Sequence, residues 1–216
     1  MFKVKICGIC ELSDLAAAAM SGANYVGFVF FDKSRRNLTL DKADKVIKNT
    51  PNGISKVALM VNPDDSFLKL VLERVPIDIL QLHGRESLTR VSEIKSATGK
   101  VVMKAIGVSC RKDLFRVEDY SKVADLILLD AKPPSDSEVP GGLGKSFDWN
   151  ILKGFELSKP WFLAGGLHSG NVRKAMELTG AKKLDVSSGV EDAFGKKSEK
   201  KISEFINTVN GGCNVE

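Results

Sequence analysis

One unit recurs along this chain: a short β-branched or apolar run, a turn rich in Gly, Asp, Ser or Asn, then a stretch of helical pattern. The runs patterned as strands are Phe2–Cys7, Tyr25–Phe30, Ser55–Val61, Ile77–Leu82, Lys100–Ile106, Asp125–Leu129, Trp161–Ala164 and Lys183–Val186. Helices are predicted over Ser13–Ser21, Asp41–Asn49, Asp64–Val75, Ser87–Thr98, Arg111–Asp119, Asp148–Leu157, Ser169–Leu178 and Ser198–Val209, several opened by an Asp or Ser able to cap. Eight such units without a linker predict an α/β chain whose consecutive strands pair in parallel, because every crossover is long enough to hold a helix.

Two architectures satisfy that pattern. A doubly wound open sheet usually carries Gly-x-Gly-x-x-Gly after its first strand, whereas Cys7-Gly8-Ile9-Cys10-Glu11 has one glycine. Regular units without a large insert favour a closed (β/α)8 barrel, a TIM barrel, forming a single domain over residues 1–216. No run of eighteen apolar residues predicts a membrane span, and the amino terminus passes straight into a strand, so the expected setting is cytoplasmic. The net charge of +5 is scattered and aromatic residues are few, so a small anionic molecule is expected as partner rather than nucleic acid or membrane.

A barrel's chemistry sits at the carboxyl ends of its strands. In this chain those ends bring together Cys7, Asp32 to Arg36, Asn62, His83, Gly107, Asp130, Gly165-Gly166 and Ser187-Ser188-Gly189. The loops after strands seven and eight commonly hold phosphate, because backbone N–H groups there approach an anion closely, and the two glycine-bearing turns fall at those positions. The connection from Asp130 to Phe147 is unusually long, with Pro133-Pro134, an acidic Ser135-Asp136-Ser137-Glu138 patch and Gly141-Gly142-Leu143-Gly144; connections of this kind are often lids.

The cysteines are Cys7, Cys10, Cys110 and Cys213, few for this length. The Cys7/Cys10 pair has the spacing of a redox motif, but Cys7 falls at a strand end and the helix starts beyond both. As a zinc site the pair lacks partners, since His83 and His168 lie far away at unrelated spacing. With no metal-ligand set and no strand-end lysine for a Schiff base, the expected chemistry is acid–base work without a metal or cofactor.

Lys5-Ile6-Cys7-Gly8-Ile9, Val26 to Phe30 leading to Ser34-Arg35-Arg36, Gln81-Leu82-His83-Gly84, Leu128-Leu129-Asp130 with Gly141 to Trp149, Ala164-Gly165-Gly166-Leu167 with Asn171-Val172, and Asp185-Val186-Ser187-Ser188-Gly189-Val190-Glu191 occur in order along the chain. Together they resemble the phosphoribosylanthranilate isomerase family of tryptophan biosynthesis. The resemblance implies an Amadori rearrangement of N-(5-phosphoribosyl)anthranilate to the 1-deoxyribulose 5-phosphate aminoketone, by a monomer or homodimer. It places a general base on Cys7 and a general acid on Asp130, with Arg36 resembling the family's carboxylate clamp. Substrate contacts are implied for His83, Gly142, Gly144, Gly165, Gly166, Asp185, Ser188 and Gly189. A related barrel isomerase of histidine biosynthesis performs the same chemistry with an aspartate at the first strand's end, and Cys7 speaks against it; a non-catalytic sugar-phosphate binder is the other alternative.

These roles carry physical requirements. A working acid at neutral pH favours apolar surroundings for Asp130, such as the Leu126 to Leu129 strand. Cys7 needs its thiol pKa lowered, and Lys5, on the same face two residues back, either stabilises a thiolate or pairs with Asp185 inside the barrel. Arg36 owes its suitability to a bidentate guanidinium–carboxylate fork, with Arg35 as a substitute. His83 orients substrate or makes a structural hydrogen bond; His168 is expected at a helix entry, and Trp149 and Trp161 in the packing. Departures from the family pattern are Arg35 where proline is common, and His168-Ser169-Gly170 where Pro-Glu is common.

Overall fold

The computed structural model describes residues 1–134, 137, 139–142 and 144–211. Most of the acidic patch (135, 136 and 138), Leu143 and Cys213 lie outside the described residues. Eight parallel strands close into a barrel in chain order: β1 (Lys3–Cys7), β2 (Tyr25–Phe30), β3 (Ser55–Met60), β4 (Ile79–Leu82), β5 (Val101–Val108), β6 (Leu126–Ala131), β7 (Trp161–Leu163) and β8 (Lys183–Val186). Every predicted strand is present, with ends displaced by at most about two residues, as usual for such boundaries.

Around it lie α1 (Leu12–Met20), α2 (Leu40–Ile47), α3 (Asp65–Arg74), α4 (Leu88–Thr98), α5 (Asp113–Ser121), α6 (Val172–Thr179) and α7 (Glu199–Val209). The caps explain where several begin: Thr39, Asp64, Ser87 and Ser198 each accept a hydrogen bond from a backbone N–H three residues on. Ser13 is not the first cap as its sequence suggests; the N-cap is Glu11, two residues earlier, in a reciprocal capping box with Asp14. Gly99 and Gly180 end α4 and α6 in left-handed conformations that other side chains resist.

Two features depart from the repeat. The helix predicted over Asp148–Leu157 is only a 3-10 turn, Trp149–Leu152, because the chain turns extended at Lys153 and Gly154 takes φ +71°. After β8 comes a 3-10 turn at Ser188–Val190, then a small antiparallel hairpin, β9 (Glu191–Ala193) with β10 (Lys196–Lys197), which no periodicity announces.

Alternation along the strands creates two cores. Outward residues such as Val4, Ile6, Phe28, Met60 and Leu80 pack against helix residues including Leu15, Val46, Val71, Ile94, Ile202 and Phe205. Each such aliphatic or aromatic burial is worth roughly 1.5–3 kcal/mol. Inward residues Val57, Ile79, Met103, Leu128 and Phe162 fill the barrel, with Tyr25 edge-on to Phe162 at 5.1 Å. Closer to the carboxyl ends the filling becomes polar, with Lys5 opposite Asp185 in the β1–β8 register. Among the described residues no helix is long and apolar enough to cross a membrane.

Candidate active site

Cys7 ends β1, and alternation turns it inward together with Lys5. Its register partner on β2 is Gly27; a Cβ there would lie 2.9 Å from the Cys7 sulfur and 3.0 Å from Lys5 Nζ. A glycine is therefore what makes room for both side chains. Lys5 is fully buried, donates to Asp185 Oδ1 at 2.8 Å and also reaches the Cys7 thiol. The pairing with Asp185 is thus present, and the thiol lies within reach of the same ammonium. Burial opposes its charge, but Asp185 and Cys7 outweigh it and hold the ammonium well above the ordinary lysine range.

The thiol itself goes the other way from the sequence expectation. Burial pushes the Cys7 pKa up, and the pull of Lys5 recovers only part of that rise. Desolvation depends on everything packed around the sulfur, so proximity to a lysine in sequence misjudged the sign.

Asp130 is not at the end of its strand, as the sequence suggests; β6 runs on to Ala131, and alternation aims the carboxyl into the barrel mouth. Asp130 Oδ1 accepts the Ala131 N–H at 2.8 Å, and Oδ2 lies 3.4 Å from His83 Nε2. Leu128 is inward beside it, yet the immediate company of the carboxyl is polar. His83 Nδ1 is 3.4 Å from Gln81 Nε2. Gly141, in the long connection, lies over this pair: a Cβ there would come within 2.5 Å of Asp130 Oδ2 and 2.9 Å of His83 Nε2.

Arg36 is buried at the opposite rim, and its fork is already engaged. Its Nε and Nη2 donate to the two oxygens of Glu191 at 2.7 and 2.9 Å. The side-on fork is therefore unavailable to an external carboxylate, and the end-on edge, Nη1 with the second Nη2 hydrogen, is the remaining donor edge. Nη1 approaches the Gly142 carbonyl at 3.5 Å, and the Phe194 ring covers the guanidinium with its centroid 4.8 Å away. Arg35 lies over the same ring at 5.1 Å and does not line the main cavity.

Glu191 also accepts from Lys197, whose Nζ donates to Oε1, the oxygen it shares with Arg36 Nε, at 2.7 Å and to Ser187 O and Oγ at 3.0 and 3.2 Å. Burial alone would raise the Glu191 pKa, but Arg36 and Lys197 outweigh it and bring the carboxyl to about 2. Ser187 in turn donates to the Cys7 carbonyl at 3.0 Å.

Cys7, Arg36, His83, Asp130, Asp185 and Ser188 all face one cavity of about 890 Å³, counted out to open solvent. Val29, Phe31, Leu59 and Val61 give it an apolar wall suited to a flat ring, while Gly165, Gly166 and Ser187 line the part nearest β7 and β8. Gly165 and Gly166 have φ of +86° and +63°, and a Cβ on either would strike backbone, at Ala131 N and Ser146 N respectively. Gly142 and Gly144, φ +75° and +72°, bring the long connection to Arg36 and to the Ser188 hydroxyl. Gly189 is different: it packs against the Leu167 carbonyl and does not line the cavity.

Cys10 faces away from a redox or metal role; its sulfur points to the Arg36 and Gly8 carbonyls at 3.5 and 3.7 Å. His168 leads into α6, its N–H held by Asn171 Oδ1, and Trp149 and Trp161 pack on the outer core. The residues that sequence reasoning overlooked are Gly27, Glu191 as a partner of Arg36, and Lys197. Parallel register could have flagged Gly27 across from Cys7, but nothing in the spacing of Glu191 and Lys197 marks them as partners of Arg36.

Three comparisons bear on this site. A family model described as N-(5'phosphoribosyl)anthranilate (PRA) isomerase matches residues 4–208. An N-(5'-phosphoribosyl)anthranilate isomerase of Paracoccus denitrificans is 53% identical over 203 residues, covering 94% of each chain, and that of Paramagnetospirillum magneticum is 48% identical over 210 residues, covering 97% of this chain and 98% of its own. The crystal structure of phosphoribosyl anthranilate isomerase from Thermotoga maritima superposes with a TM-score of 0.88 at 37% identity, covering 98% of this chain and all of that one. A phosphoribosyl anthranilate isomerase in complex with reduced 1-(o-carboxyphenylamino)-1-deoxyribulose 5-phosphate gives 0.83 at 34% identity, with the same coverage.

Proposed function

The chain belongs to the N-(5'-phosphoribosyl)anthranilate isomerase family, and from that premise we propose that Cys7 is the base and Asp130 the acid of its reaction. The enzyme catalyses the Amadori rearrangement of N-(5'-phosphoribosyl)anthranilate in tryptophan biosynthesis. The reaction needs two proton transfers. Asp130 gives its proton to the furanose ring oxygen as the bond from C1 to that oxygen breaks, leaving a C1–nitrogen iminium. The Cys7 thiolate then removes the C2 proton; the C2–H electron pair becomes the C1–C2 double bond and the C1=N π pair returns to nitrogen, giving an enolamine. That enol loses its hydroxyl proton and gains one at C1, so the aminoketone forms with no net gain or loss of atoms.

Lys5 is assigned the task of stabilising the thiolate, since it is a buried cation in reach of the sulfur. The same reading sets the anthranilate ring against Val29, Phe31, Leu59 and Val61, its carboxylate on the end-on edge of Arg36, and the phosphate on the Gly165-Gly166 and Ser187-Ser188 turns, with Gly142 and Gly144 over the top. His83 steadies Asp130, and Asp185 acts through Lys5. Every one of these groups comes from one chain, so a monomer suffices for catalysis and a homodimer would carry two independent sites.

The observation that carries the assignment is that a strand-end thiol and an inward carboxylate share one cavity with an arginine edge and a double-glycine turn. Its test is Cys7→Ser and Asp130→Asn, assayed by the loss of phosphoribosylanthranilate fluorescence. Each is expected to lower kcat by ~10²–10⁴ with folding intact. Turnover near wild type in either variant overturns that residue's role.

A further inference from the structure

The hairpin β9–β10 supplies two charges that the barrel repeat does not, and they meet at Arg36. Glu191 fixes the guanidinium by its side-on fork, yet it also places a buried negative charge beside the edge left for an incoming carboxylate. Arg36 and Glu191 alone form a neutral pair, a poor host for an anion, because the carboxylate's attraction to one is largely cancelled by its repulsion from the other. Lys197 changes that balance. Its ammonium, buried on β10, sits against Glu191 Oε1 at 2.7 Å, the same oxygen that accepts from Arg36 Nε. Burial pulls the Lys197 pKa down while Glu191 pulls it back up; with its ammonium protonated the trio carries one net positive charge, with Arg36 as its only member lining the main cavity.

We propose that Lys197 is a specificity-determining residue: by neutralising Glu191 it lets Arg36 be both rigidly oriented and attractive to a carboxylate, and so sets the preference for a carboxylated aromatic amine over its uncharged counterpart. This rests on the reading of Arg36 as the carboxylate's partner. The arrangement solves a conflict between two needs. An arginine held only by neutral groups would keep its charge but swing, and one held only by a carboxylate would be fixed but neutralised. Phe194 and the Gly142 carbonyl complete the confinement without adding charge.

A purely structural alternative exists, because Lys197 also donates to Ser187, which holds the Cys7 carbonyl. The two roles separate in equilibrium binding. The probes are reduced 1-(o-carboxyphenylamino)-1-deoxyribulose 5-phosphate and the same compound without the carboxyl, titrated calorimetrically into wild type, Lys197→Met, Lys197→Met/Glu191→Gln and Arg36→Met. The preference of wild type for the carboxylated probe is expected to fall at least ~10-fold in Lys197→Met, while the uncharged probe changes less than ~3-fold. The double variant is expected to regain most of the preference, since removing the uncompensated carboxylate restores one net positive charge; it also removes a buried unpaired ion, so it remains measurable if the single variant fails to fold.

A double variant as poor as the single, or equal losses for both probes, overturns the charge-balancing role in favour of the structural one. Preference lost in Arg36→Met but kept in Lys197→Met overturns this inference alone. Preference that survives Arg36→Met overturns the carboxylate reading of Arg36, and this inference with it.

Discussion

Replacing Lys5 by methionine keeps most of the volume inside the barrel and removes the cation that, among the described residues, hydrogen-bonds the Cys7 thiol, the proposed base. The space of the absent Gly27 Cβ lies between the two groups, 2.9 Å from the sulfur and 3.0 Å from Nζ, which keeps them within about 6 Å of each other; at an effective dielectric near 20 a unit charge at that range is worth ~2.5–3 kcal/mol, about two pH units. Asp185, left without its partner, acts in the same direction. The ascending limb of kcat/KM against pH, already above the ordinary thiol range because burial raises the Cys7 pKa, is therefore expected to move up by one to two pH units. A more basic thiolate is also a stronger base, and with a Brønsted slope near one half the net loss below the limb is about 3- to 10-fold. Breaking the buried pair should lower stability by ~3–5 kcal/mol, and Lys5→Met/Asp185→Asn should recover much of this while leaving the limb high. The assay is the fluorescence-detected pH–rate profile. A limb that stays in place, or moves down, refutes Lys5 as the thiolate's counter-charge.

Three further outcomes are expected. Gly141→Ala puts a methyl within 2.5 Å of Asp130 Oδ2 and should displace the long connection, lowering kcat by roughly 10–100-fold with little change in Tm; a kcat within twofold of wild type would show that the connection does not bear on the acid. Gly27→Ala sets a methyl against both Cys7 and Lys5 and is expected to cost ~1–3 kcal/mol of stability along with most of the activity, measured by denaturant unfolding and turnover. The Glu191 carboxyl sits at about 2 when folded and near 4.3 when unfolded, so its contribution to stability is complete above pH ~4.3 and is lost as pH falls towards 2. Glu191→Gln should accordingly flatten the fall of Tm between those pH values, and a curve parallel to wild type would contradict the pairing.

The barrel was legible because it is written in two periods, two for strands and 3.6 for helices, repeated until only a closed sheet fits. The helix over 148–157 misled because its amino end carries a good cap, Asp148, while what ends it is a left-handed glycine only six residues on. The site was legible at strand ends, where topology alone brings Cys7, His83 and Asp130 together. It was illegible wherever the answer depends on what is packed around a group. The direction of the Cys7 shift follows from desolvation, and the occupation of the Arg36 fork follows from a hairpin whose strands, three and two residues long, are too short to carry a period.

That hairpin has a consequence for how such an enzyme can be altered. Cys7, Asp130 and the Gly165-Gly166 turn belong to the repeating units and are tied to the closure of the sheet, so they cannot move without disturbing the whole. The residues that condition Arg36 hang from an appendage between the last strand and α7, pairing only with itself as a two-stranded sheet. On the proposed roles, the charge balance at Arg36 is set from this appendage, while the apolar wall for the ring and the proton-transfer pair belong to the barrel. Redesigning the segment between Val190 and Ser198 is then a route to altering the carboxylate preference while leaving the barrel strands untouched.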